Sequence, residues 1–387
     1  MMDGMFSRLK VQGFRHLHDV DLPLRSLNVL IGANGVGKTS VLEVMTLLAA
    51  SASGRLQDFI SAAGGLSSLV THDRKTGLHL ALSMPIAGEA PIEYALTLMP
   101  GGLAYYLGKE RLAQERNAPK GKSSHFKFID SDGADIRYFD PETRKLVQPT
   151  WEHQRYESSL SQVPKMFRQP EQFRRLLASS TLYHALDVSP RAPARLPQPM
   201  KPAELPGDDG ADLVSCLYFL RETQRDRFEA IEDALRVAFP NFERMDFPPV
   251  AAGSMALAWK ERPYTQPLYA HQLSEGTLRF LWLATLLQSP SLPQVTMIDE
   301  PEVSLHPEML RVFAGLLREA SARTQLVVAT HSERLVRYLN PDELVVCDLD
   351  ENGGAALVRA DTLDLDAWLE EYSLDQLWGL GRLGGRA

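Results

Sequence analysis

Gly32-Ala33-Asn34-Gly35-Val36-Gly37-Lys38-Thr39 follows the apolar run Leu27-Asn28-Val29-Leu30-Ile31 and leads through Ser40 into Val41-Leu42-Glu43-Val44-Met45-Thr46-Leu47-Leu48. Every fixed position of the pattern G-x-x-x-x-G-K-[ST] is filled, and the setting is the strand, loop and helix that the pattern requires. Glycines let backbone N–H groups curl around phosphate oxygens, and a helix N-terminus adds positive dipole. Gly32, Asn34, Gly35, Gly37, Lys38, Thr39 and Ser40 are therefore the candidate phosphate-binding residues. Lys38 is expected to reach β- and γ-phosphates, and Thr39 to place its hydroxyl on Mg2+. A glycine-rich turn without a ligand is the bland alternative, and the flanking strand and helix speak against it.

Working outward, the C-terminal part carries three further signals. Val295-Thr296-Met297-Ile298-Asp299-Glu300 reads as a buried parallel strand ending in two acids. Carboxyl ends of such strands are where α/β sheets hold ligands. Alone, the pair is more often a surface turn; beside a phosphate loop, Asp299 reads as a Mg2+ ligand and Glu300 as general base. Ser274 in Leu273-Ser274-Glu275-Gly276-Thr277 has the chemistry of a helix N-cap, and the same geometry presents its hydroxyl and the Gly276 N–H to an anion. Gln325-Leu326-Val327-Val328-Ala329-Thr330 reads as another buried strand. It ends at His331, which is either structural or in reach of a γ-phosphate.

Composition sets the outer bounds. The 387 residues are 44% hydrophobic and 23% charged, ordinary globular usage that excludes wholesale disorder. Lys+Arg 41 against Asp+Glu 49 gives a net charge of −8, which disfavours a surface coated with basic charge. Two cysteines, Cys216 and Cys347, are too few for a disulfide framework, and no apolar run approaches the ~20 residues of a membrane span. The N-terminus lacks a secretory pattern, so a cytoplasmic location and no membrane partner are expected. Apolar patterning is dense over 1–50 and 268–348, and sparser between. The expected organisation is one split α/β domain. Residues 1–84 and 266–387 form its two parts, and a mostly irregular or helical lobe is inserted over 85–265. Pro190 to Pro206, with six prolines, reads as loop or linker.

The ordered set of phosphate loop, Leu-Ser-Glu-Gly-Thr, Asp-Glu-Pro and Thr-His-Ser resembles the head of ABC-type ATPases. Phe14-Arg15 followed by Leu27 to Ser40 resembles the RecF/SMC branch. Glu300-Pro301-Glu302-Val303-Ser304-Leu305-His306-Pro307 is closer to the OLD-type, AAA_21-like ATPases of bacteria, as is the tail around Trp368 to Trp378. The resemblance implies a P-loop fold with a mainly parallel sheet, an N-terminal antiparallel layer and an inserted lobe. It also implies ATP and Mg2+ as cofactors, Glu300 as base, His331 as switch, and a homodimer closed around ATP. In that dimer Ser274 and Gly276 of one subunit cover the γ-phosphate held by Lys38 of the other. Conformational work on DNA or a protein partner, in DNA repair, chromosome maintenance or phage defence, is the implied role. An ATP-binding regulatory scaffold with negligible turnover, and the ATPase component of an OLD-like nuclease system, are the alternatives. His306 departs from the Asp that many ABC heads carry. No Q-loop glutamine can be placed; Gln57 lies in the right broad region without a specific setting. Arg15 is either an approach to nucleotide or an exposed turn.

Between the motifs, Lys109, Arg111, Arg116, Lys120, Lys122 and Lys127 form one basic cluster and Lys165, Arg168, Arg174 and Arg175 another. They would line a DNA groove or simply be a solvated face. Leu344-Val345-Val346-Cys347 and Ala356-Leu357-Val358, separated by Glu351-Asn352-Gly353-Gly354, read as a β-hairpin. With 47 residues from Pro341 to Ala387, a nuclease domain is not expected there. Leu365, Trp368, Leu369, Tyr372, Leu374, Leu377 and Trp378 have amphipathic helical spacing and are expected to dock on the core.

Overall fold

The strand Leu27–Ile31 is buried along its whole length because a sheet forms around it. In the computed structural model, which describes residues 5–71, 77–102, 104–116, 124–365, 368, 372–381 and 383, two parallel neighbours flank it. They are Gln325–Ala329 on one side and Leu344–Leu349 on the other. Val295–Asp299 and then Thr181–Tyr183 extend the parallel set, and Ala355–Arg359 turns back antiparallel at the opposite edge. These runs are apolar at consecutive positions because both faces are covered. Leu27, Val29, Ile31, Leu326 and Val328 enter one core, closed by the helices Leu213–Thr223, Arg225–Ala238, Glu275–Gln288 and Pro307–Ser321. Leu30, Val327, Ala329, Val345 and Cys347 enter the other, shared with the helix Lys38–Ser53 and a second sheet.

That second sheet is antiparallel and has eight strands, in the order Leu17–Pro23, Arg8–Phe14, Leu78–Ile86, Glu89–Gly101, Ala104–Arg116, Ser124–Asp132, Tyr138–Asp140 and Lys145–Val147. The expectation of a mostly irregular or helical segment over 85–265 therefore fails for its first third. Ile92, Tyr94, Leu96 and Leu98 alternate inward with more exposed neighbours, the period of a half-buried strand. The charged run Lys109-Glu110-Arg111 hides the pattern next door, since Glu110 points inward and is 1% exposed. Its carboxylate accepts from Tyr94 Oη at 3.0 Å and from the N–H groups of Ser159 and Leu160 at 2.6 and 2.8 Å. Burial raises its pKa, and these donors act against that rise. Glu110→Ala strands three buried donors and is expected to cost about 2–4 kcal/mol, read as a lowered midpoint in urea unfolding.

The later part of the same segment supplies the helices Arg168–Ala178, Leu213–Thr223 and Arg225–Ala238 and two small sheets. Pro190 to Pro206 runs as irregular chain with one turn at Pro193–Arg195 and the two-residue strand Gln198–Pro199. In the hairpin Leu344–Leu349 and Ala355–Arg359, Asp350 Oδ1 accepts from the N–H groups of Asn352 and Gly354, which closes the turn. Of the expected tail helix, residues 366–367 and 369–371 lie outside the described residues. Its last turn, Leu374–Gly379, buries Leu374, Leu377 and Trp378 in the first core. Among the described residues no helix is long and apolar enough to cross a membrane.

Candidate functional site

Backbone geometry builds the phosphate loop. Gly32 has φ +146°, and a Cβ there would fall 2.2 Å from the Cys347 carbonyl oxygen, so only glycine lets the chain leave its strand. The helix Lys38–Ser53 starts directly after Gly37, whose φ is +104°. Lys38 is 4% exposed. Its Nζ donates to the carbonyls of Gly32 at 2.6 Å and Ala33 at 2.7 Å and lies 3.2 Å from His331 Nδ1. Burial lowers the lysine's pKa, while Glu300, Asp299 and Glu302 are among the groups that hold it up.

Two neighbouring parallel strands deliver the acids and the histidine. Asp299 ends the strand Val295–Asp299, where burial pushes its carboxyl up and the Glu300 charge adds to the effect. His184, which follows the edge strand Thr181–Tyr183, opposes that rise from 3.9 Å. Glu300 continues the ladder, its N–H donating to the Ala329 carbonyl at 2.9 Å, but its φ of +50° is left-handed and strained for a non-glycine residue. The side chain is half-exposed, with Oε1 3.4 Å from His331 Nε2. The His331 N–H in turn donates to Glu302 Oε1 at 2.7 Å. Four residues after Glu302, His306 caps the helix Pro307–Ser321, its Nδ1 facing the Glu308 N–H at 3.5 Å. The imidazole thus fills the acceptor position at which Asp or Ser more often stands.

One cavity of about 670 Å³ gathers Asn34, Gly35, Gly37, Lys38, Thr39 and Ser40 with Glu300 and His331. Its size is in the range of small-molecule sites. Gly32 and Asp299 are not on its wall. Gly32 lies behind the loop with its carbonyl taken by Lys38, and Asp299 faces a neighbouring crevice with His184 and Arg279. Ser274 and Gly276 stand apart from the cavity. Ser274 Oγ accepts from the Thr277 N–H at 3.1 Å as the N-cap of Glu275–Gln288. A Cβ on Gly276 would fall 2.4 Å from the Ser304 carbonyl oxygen, and Arg279 Nη1 donates to Ser304 Oγ at 2.9 Å. The helix bearing Ser274 is thus packed directly on the loop that follows Glu300.

The far wall comes from residues that no local pattern marks as part of a site: His16 and His18, the stretch Ser68, Val70 and Thr71, and the hairpin turn at Asn352 and Gly353. Arg15 lines it too, paired with Glu43 at 2.8 Å. Gln57 does not reach the cavity; it is exposed, and its N–H donates to Glu157 at 3.1 Å. For a metal, the cavity offers the Thr39 hydroxyl, while the Asp299 carboxylate stands at the end of the strand Val295–Asp299, on the neighbouring crevice. Hard oxygens of this kind suit Mg2+, whose shell is otherwise made of phosphate oxygens and water. Among the described residues no group of three or more His, Cys, Asp or Glu would hold a metal unaided.

The basic clusters are neutralised only in part where they are described. Lys109, Arg111 and Lys127 line a groove on the antiparallel sheet together with Asp130, Asp132 and Asp135. Lys127 pairs with Asp130 at 2.6 Å. Lys120 and Lys122 lie outside the described residues, as does the Arg116 side chain. In the second cluster Arg174 pairs with Glu171 at 2.6 Å, while Lys165, Arg168 and Arg175 are exposed.

The model of the family AAA_21, described as "AAA domain, putative AbiEii toxin, Type IV TA system", matches residues 27–337, a span that runs from the central strand past His331. The chain belongs to the AAA_21 family. This AAA_21 protein is 23% identical to the OLD nuclease of Thermus scotoductus over 374 residues, covering 91% of its own length and 66% of that protein. It is 54% identical over 50 residues to the DNA replication and repair protein RecF of Pseudomonas savastanoi pv. phaseolicola, 13% of this chain and 14% of that one. Two solved structures share the fold. One is an SMC head bound to the C-winged helix domain of ScpA, with a TM-score of 0.55, 14% identity, and coverage of 95% of this chain and 99% of that chain. The other is an SMC head with an extended coiled coil bound to the C-terminal domain of ScpA, derived from Pyrococcus furiosus, with a TM-score of 0.52, 12% identity and the same coverage. The fold is that of a P-loop NTPase with an ABC-type head, of the RecF/SMC/OLD branch.

Proposed function

We propose that this AAA_21 protein binds and hydrolyses ATP as one head of a homodimer, and that the cycle moves DNA or a protein partner. The observation that carries the reading is the convergence of Lys38, Glu300 and His331 on one cavity beside the phosphate loop. Lys38 would exchange its two loop carbonyls for β- and γ-phosphate oxygens. Glu300, half-exposed at the rim, would take the proton of the attacking water. His331, in reach of both Lys38 and Glu300, would donate to a terminal phosphate oxygen. Mg2+ at Thr39 and Asp299 would neutralise charge developing on the phosphates. A second reading, the ATPase component of a nuclease system, is favoured by the likeness to the OLD nuclease along 91% of the chain. A cytoplasmic role in DNA maintenance or phage defence suits either. Mg2+-dependent turnover of the purified protein, with and without duplex DNA, tests the proposal; no turnover would leave a regulatory scaffold.

The dimer has its own test. Ser274 and Gly276 stand away from the cavity of their own chain, as residues serving a partner's nucleotide would. Ser274→Arg is expected to block closure while leaving nucleotide binding by the monomer intact. Mixed with Lys38→Ala, it should restore partial turnover that neither variant shows alone. A heterodimer with both changes in one composite site keeps the other site whole. Absence of recovery, with heterodimers verified by differential tagging, counts against independent sites acting in trans.

A further inference from the structure

The loops after Val295–Asp299 and Gln325–Ala329 are joined twice. The Glu300 N–H donates to the Ala329 carbonyl at 2.9 Å, and the His331 N–H donates to Glu302 Oε1 at 2.7 Å. The first is the last rung of a ladder, which any residue at 300 would supply. The second needs a side-chain acceptor at 302, and the carboxylate that supplies it is held unusually. Glu302 Oε2 is buried without a hydrogen-bond partner among the described residues, close enough to Lys38 and Asp299 to act on the charge of both. An unpaired buried carboxylate oxygen is costly, and its retention calls for a reason.

We infer that Glu302 is a positioning residue, resting on the ATPase reading above: it fixes the height of the His331 loop, so that the imidazole stays bridged between Lys38 and Glu300. The imidazole sits 3.2 Å from the lysine and 3.4 Å from the glutamate, distances that a small slip of the loop would lengthen. Glu300 is in strained backbone on the neighbouring loop, so its side chain also depends on what its surroundings hold in place. Glu302 acts through a main-chain N–H, and that separates it from a base. A glutamine keeps the carbonyl acceptor and keeps the clamp; a base replaced by glutamine is lost.

Three variants test this: Glu302→Ala, Glu302→Gln and, should the alanine variant fail to fold, Glu302→Asp, which is one methylene too short for the bond. In Glu302→Ala or Glu302→Asp, amide hydrogen exchange over 330–336 should be faster by about tenfold or more, with wild-type protection in Glu302→Gln. Turnover at saturating ATP should fall on the order of a hundredfold in the alanine or aspartate variant, with ATP affinity unchanged, and stay near wild type in the glutamine variant. Equal loss of turnover in Glu302→Gln and Glu302→Ala would overturn the inference in favour of a chemical role. Unchanged exchange in every variant would overturn it as well. The exchange measurement decides the clamp even in a protein that does not hydrolyse ATP, so failure here and failure of the ATPase reading are separate results.

Discussion

Lys38→Ala is expected to bring nucleotide affinity below detection in calorimetry while the protein stays folded. The phosphate loop is shaped around this ammonium, which is buried and already holds two loop carbonyls at 2.6 and 2.7 Å. Alanine removes the one cation that the loop itself supplies, and phosphate charge would then meet Glu300, Asp299 and Glu302 without it. Two charge-assisted bonds at about 1.5–3 kcal/mol each place the loss at a hundredfold or more, since about 1.4 kcal/mol is a factor of ten. Unchanged affinity would remove the basis for treating Gly32 to Ser40 as a phosphate site.

Glu300→Gln should separate binding from chemistry. The amide is nearly isosteric and leaves Lys38 and the loop untouched, so ATP should bind as before. It cannot take a proton from water, and loss of a positioned base typically costs about 10²–10⁴-fold in turnover. Its contact with His331 also loses its charge. ATP held without hydrolysis should accumulate the closed dimer, visible as a doubled mass in light scattering. Turnover at the wild-type rate would assign the base elsewhere.

The parts of this site that were legible in the sequence are those written locally. A phosphate loop needs glycine, lysine and threonine at fixed spacing, and Asp299-Glu300 follows a strand whose apolar run is contiguous. The far wall is assembled by tertiary pairing instead. Phe14 bridges to Val70, the Arg15 N–H donates to the Leu69 carbonyl at 2.8 Å, and the Ala355 N–H donates to His16 at 2.7 Å. No spacing rule links positions so far apart, so His16, Ser68, Thr71 and Asn352 read as ordinary polar turn residues. Thr181–Tyr183 escapes for another reason: three residues at a sheet edge are too few to show a period. In the antiparallel sheet the alternation from Ile92 to Leu98 was there to be read. The inward Glu110 obscured its neighbour, because a satisfied buried charge looks like a surface charge until its donors are known.

The placing of Leu27–Ile31 between late partners bears on how the protein is made. Leu27 pairs with Leu326, and Leu30 with Val345, so the innermost strand waits for residues about 300 positions downstream. At about 5–20 residues per second, synthesis leaves it without either neighbour for about 15–60 s. During that interval a short strand, apolar at four of its five positions, is exposed on the nascent chain with two unpaired edges, the kind of segment that recruits other strands. Pairing at the centre of the parallel sheet is therefore late, slow because its contacts are distant, and dependent on whatever shields the early strand until residues 325–349 emerge.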